Sequence, residues 1–89
     1  MENVNACVTV AKTYRDMLME VGVKENREEK GSVEQPHLLW MLNEIINNKN
    51  MSIIKKNRWL GFIQGCLVKD GFLNIEKERN WTRNIFNGD

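Results

Sequence analysis

The run SIIKKNRWLGFIQGCLVKDGF, Ser52 to Phe72, decides the fold, because it carries a start, an apolar stripe and a stop for one helix. Ser52 has the short hydroxyl side chain of an N-cap. Ile53, Leu60, Ile63 and Leu67 then fall on one helical face, with Trp59 and Cys66 beside them. Asp70-Gly71-Phe72 reads as a Schellman stop, with Gly71 in the left-handed position and Phe72 folding back on Leu67.

The segments on either side repeat the pattern. Asn74 can cap a further helix, IEKERNWTRNIF, whose Glu76 and Glu78 suit a positive helix start and whose Arg83 suits a negative end. Its inner stripe is predicted to be Ile75, Thr82, Ile85 and Phe86, leaving Trp81 as the exposed indole. Upstream, Pro36 fits a first helical turn, and PHLLWMLNEIINN is apolar at 38, 39, 41, 42, 45 and 46, so this helix must be largely buried. Between Asn5 and Val21 a stripe of Cys7, Ala11, Tyr14, Leu18 and Val21 marks a first helix that Gly22 ends, with Lys12 and Asp16 as an i,i+4 pair. Residues 24–35 mix both charges around Gly31 and Ser32 and read as a connector. Strand alternation is absent. The expectation is an all-α chain, a small four-helix bundle forming a single helical domain over residues 1–89. A chain of this length can bury only one small core, which favours completing that core as a homo-oligomer.

Charge is balanced overall and segregated locally. From Ile45 to Lys69 there are five basic residues, Lys49, Lys55, Lys56, Arg58 and Lys69, and no acid. Such a segment either steers an anionic partner or is a solvated helix face. Cys7 and Cys66 lack metal-ligand spacing, and the opening MENVNACVTV lacks the pattern of a signal peptide, so the chain reads as reduced and cytoplasmic. No apolar run approaches a membrane span, which leaves no membrane partner.

Catalytic and cofactor signatures are missing from the wording of the chain. His37, the only histidine, opens an apolar helix with no Ser or Cys beside it in sequence, and there is no HExxH, CxxC, EF-hand loop or phosphate loop. No catalytic residue, metal or cofactor is therefore expected. Gly61 and Gly65 are more informative, since each glycine inside a helix costs roughly 1 kcal/mol against alanine. At i,i+4 they form a smooth strip for a helix-helix contact, within the chain or between copies, or for a ligand against bare backbone. Arg58 precedes Trp59, and Trp81 stands between Arg79 and Arg83, a mixture that serves phosphate with a stacked base and serves protein hot spots equally. Trp40 and Trp59 are expected to be core. The candidate partner-binding residues are thus Lys55, Lys56, Arg58, Trp59, Arg79, Trp81 and Arg83. The acids opening the last helix speak against a recognition helix for duplex DNA.

The pieces PHLLWMLNEI, NRWLGFIQGCL and IEKERNWTRNIF, in that order, resemble a family of small hypothetical proteins of tailed phages and prophages, with the pattern HLLWM, RWLGFxQGxL and ERxxTRxxF. The likeness covers roughly residues 36–89. It implies action in the cytoplasm of an infected bacterium and supplies no mechanism; its matched residues include Arg58, Trp59, Gly61, Gly65, Arg79 and Arg83. The leading expectation is a noncatalytic accessory protein that binds and inhibits or sequesters a host factor, with anti-defence as one such role and a host protein as partner. The alternatives are a nucleotide or nucleic-acid binder using the same arginines, and a structural or assembly role.

Overall fold

The computed structural model describes residues 4–25 and 34–87, and among these the chain forms four α-helices and no strand. They are α1 (Val4–Glu20), α2 (Gln35–Asn47), α3 (Ile53–Lys69) and α4 (Ile75–Asn87). Most of the expected connector, residues 26–33, lies outside the described residues, and its last member, Gln35, already belongs to α2.

Local chemistry sets the ends. Ser52 Oγ accepts from the Lys55 N–H at 3.1 Å, starting α3. At its end the Phe72 N–H donates to the Leu67 carbonyl at 2.9 Å and the Gly71 N–H to that of Val68 at 3.1 Å, with Gly71 at φ +82°, a Schellman motif. Gly22, at φ +92°, stops α1 by the same pair of bonds. Asn74 Oδ1 accepts from the N–H groups of Glu76 and Lys77 at 3.0 and 3.1 Å, starting α4.

The core gathers around α1. Cys7, Val10, Ala11, Tyr14 and Leu18 meet Leu38, Leu42 and Ile45 of α2 and Leu60, Ile63 and Leu67 of α3, all buried. Burying each large aliphatic side chain contributes about 1.5–3 kcal/mol. Helix α1 packs on each of the other three, whereas α3 and α4 hardly touch. That gap becomes a groove.

Several expectations need correcting. Val21, expected on the α1 stripe, lies past the helix end and is exposed. Asp16 pairs with neighbouring Arg15 at 3.0 Å and not with Lys12; an exposed pair of this kind contributes little. Helix α4 docks from Glu78 onward, through Trp81, Thr82, Ile85 and Phe86, and its first-turn Ile75 is 54% exposed. Trp81 is accordingly half-buried, its ring 6.2 Å from that of Tyr14, because α4 turns this side toward α1. Trp40 and Trp59 are half-buried at the edge of the core.

Candidate functional site

A groove of about 410 Å³ opens between α3 and α4 over α1. Its floor is apolar, made by Val10 of α1, Leu60 of α3 and Phe86 of α4. Along α3 it also meets Asn57, Gly61 and Gln64; along α4 it meets Arg79, Thr82 and Arg83. Gly61 and Gly65 both face open space: a Cβ on either would meet nothing within 4 Å. The glycine strip is therefore not a tight crossing inside the described chain. Gly61 instead gives the groove a stretch of bare backbone.

Arg79 and Arg83 stand one turn apart on α4, both exposed, and form no ion pair among the described residues. Side chains four apart on a helix share a face, so two planar, five-donor cations address the same volume. The groove also holds hydrogen-bonding side chains, Asn57, Gln64 and Thr82, beside an apolar body. Clefts of this size, apolar with a few convergent polar groups, are what small-molecule sites look like.

Behind the groove runs a polar relay through the core. Gln64 Nε2 donates to the Tyr14 hydroxyl at 3.0 Å, and that hydroxyl donates to Glu78 Oε2 at 3.0 Å, joining α3, α1 and α4. Burial holds the Tyr14 phenol well above its ordinary pKa, opposed by the Gln64 donor and aided by the Glu78 carboxylate, so it stays neutral. The sequence placed Tyr14 on the α1 stripe and Glu78 at the start of the last helix but did not join them, and it passed over Gln64, although a buried tyrosine hydroxyl always raises the question of its partner.

The remaining expected partner residues do not join the groove. Lys55 places Nζ 5.0 Å from the Trp59 ring centroid, and Trp59 lies 6.0 Å from Trp40, which stacks on His37 at 5.4 Å. This is a separate aromatic column between α2 and α3. Arg58 is exposed on the outside of α3. Lys56 is only 6% exposed, so the basic run 49–58 is not one surface: the helix turns Lys56 inward while Lys55 and Arg58 face out. Trp81, expected to be exposed as a protein hot spot or, in the alternative reading, to stack a base, packs on Tyr14, which leaves Phe86 as the aromatic ring in the groove.

Burial raises the Cys7 thiol, opposed by nearby Lys56, and burial likewise raises Cys66, so both thiols are held protonated. His37 is buried with Nδ1 lacking a hydrogen-bond partner among the described residues. No three His, Cys, Asp or Glu side chains converge as a metal would need among the described residues. Nor is any described helix long and apolar enough to cross a membrane. No protein-family model matches this chain, and neither a curated protein nor a solved structure matches it.

Proposed function

We propose that this is a noncatalytic binding protein of the small phage-accessory kind, which sequesters a phosphate-bearing host factor of the nucleotide class in the α3–α4 groove. The observation that carries the reading is the pair Arg79 and Arg83, two exposed guanidinium groups with no ion pair among the described residues, on the wall of a 410 Å³ groove. Guanidinium groups bind phosphate by charge-assisted, often bidentate hydrogen bonds. The apolar floor and Phe86 support the flat body of a base, and the cleft is of small-molecule size. The likeness in wording to small phage proteins supports the cytoplasm of an infected bacterium as the setting.

The test has two parts. Protein purified from nuclease-treated bacterial lysate is heated and the released small molecules are weighed by mass spectrometry; a nucleotide-class anion is expected. Calorimetric titration with ADP should then show Arg79→Ala and Arg83→Ala each losing about 1.5–3 kcal/mol, roughly ten- to a hundredfold. Release of no anion, together with ADP binding that ignores both substitutions, would sink the reading.

A second reading, docking of a host protein or of another copy of this chain, is favoured by the outer face of α3. There Ile54 is 75% and Phe62 45% exposed, with Arg58 and the open Gly65 on the same helix. A complex through that face should tolerate Arg83→Ala and fail on Phe62→Ala.

A further inference from the structure

We infer that Gln64 selects the ligand of the groove: the Tyr14–Glu78 pair fixes its amide so that the carbonyl oxygen is offered to the ligand, favouring a phosphate-bearing molecule whose base carries an amino N–H. The inference rests on the reading of the groove as a nucleotide-class site.

The direction of the relay is decided by proton count. A tyrosine hydroxyl has one proton, and the Glu78 carboxylate is acceptor-only when ionised. The Tyr14 proton therefore goes to Glu78 Oε2, at 3.0 Å, and the Tyr14 oxygen is left to accept. Only the NH₂ end of Gln64 can satisfy it, and Nε2 does so at 3.0 Å. With the amide pinned in that sense, Oε1 is the end of Gln64 without a hydrogen-bond partner among the described residues. Gln64 lines the groove, and Tyr14 lies behind it in the core. An unpinned glutamine would rotate and serve donors and acceptors alike. A pinned one discriminates, because a ligand lacking the donor leaves an acceptor unsatisfied. Arg79 and Arg83 would then supply the affinity for the anion, and Gln64 the choice among anions.

The test titrates the full chain with three probes: pyrophosphate, ADP, and the purine-riboside diphosphate that differs from ADP only by lacking the 6-amino group. The wild type should bind ADP about tenfold more tightly than its des-amino analogue. In Tyr14→Phe and in Gln64→Leu this ratio should fall toward one. Glu78→Gln is the second route should Tyr14→Phe not fold, since a glutamine at 78 can donate as well as accept and so frees the amide of Gln64. A ratio near one in the wild type, with pyrophosphate bound and its binding weakened by Arg79→Ala, overturns the role of Gln64 and leaves the groove reading standing. A ratio that survives both Tyr14→Phe and Glu78→Gln overturns the positioning by the relay. Failure of pyrophosphate and ADP alike to bind overturns the groove reading, and the inference with it.

Discussion

At Tyr14 one hydroxyl serves three helices, and its chemistry sets a pH limit on the fold. The phenol is held neutral in the folded chain well above the value of about 10 that it has when exposed. A group whose folded pKa is raised contributes stability that is complete below the unfolded value and is lost as pH climbs past it. Wild-type stability should therefore fall above about pH 10, and Tyr14→Phe should lack that part of the fall. At neutral pH the same substitution should cost about 1 kcal/mol, the net worth of its hydrogen bonds. Urea unfolding of both proteins at pH 8 and near pH 11 should show the gap between them shrinking; a gap that widens with pH would contradict the assignment. The Cys7 thiol, raised by burial, pushes in the same direction but is common to both proteins, so the difference isolates Tyr14. Lys56 is another polar side chain turned into the core. It is 6% exposed and forms no ion pair among the described residues, so its long stem packs while its ammonium finds no partner charge. Lys56→Met keeps the stem and removes the charge, and the melting temperature is expected to hold or rise. A clear drop would mean that the ammonium has a stabilising partner.

At the scale of one helix, α3 shows what its two glycines are for. A methyl group at Gly61 or Gly65 meets nothing within 4 Å, so in a monomer the alanine variants should gain the helix propensity of roughly 0.5–1 kcal/mol each. Gly71→Ala should lose stability, because φ +82° strains any side chain. Thermal melts separate these signs, and destabilisation by Gly65→Ala would reveal a close helix contact between copies. Gly61→Leu should fold and lose ADP binding, since it fills the groove. The same helix explains what sequence reading could reach. Ser52, Gly71 and Phe72 each bond to a backbone group only a few residues away in the chain, Lys55, Val68 and Leu67 respectively, so the cap and stop of α3 were legible; so was the α1 stripe from Cys7 to Leu18. Lys56 was misread because its direction depends on where α1 lies, which no local spacing encodes. The groove was legible only as loose parts. Arg79 was paired with Arg83, and Gly61 with Gly65, each within its own helix, but the meeting of the two pairs' helices around a groove depends on α3 and α4 standing apart, a property of the packing and not of either helix.

For the whole molecule the decisive feature is unequal attachment. Helices α2 and α3 bury aliphatic side chains on α1, while α4 has no fully buried residue and is held by half-buried Trp81, Ile85 and Phe86 and by the Glu78 carboxylate. Little apolar burial means a low free energy of local opening, so α4 should exchange its amide hydrogens through an opening that spares α1 to α3. Hydrogen exchange read by mass spectrometry is expected to show peptides from 75–87 losing protection well before those from 6–18. A ligand in the groove touches both α3 and α4 and so binds only the docked arrangement. By mass action it must stabilise that arrangement, by about 2.7 kcal/mol when present at a hundred times its dissociation constant. Exchange in α4 should then slow by about a hundredfold with ADP at that excess, provided opening abolishes binding, with little change in the fastest peptides elsewhere. Uniform slowing across all four helices would mean that ligand release needs global unfolding. No slowing in α4, with ADP demonstrably bound, would place the ligand outside the groove.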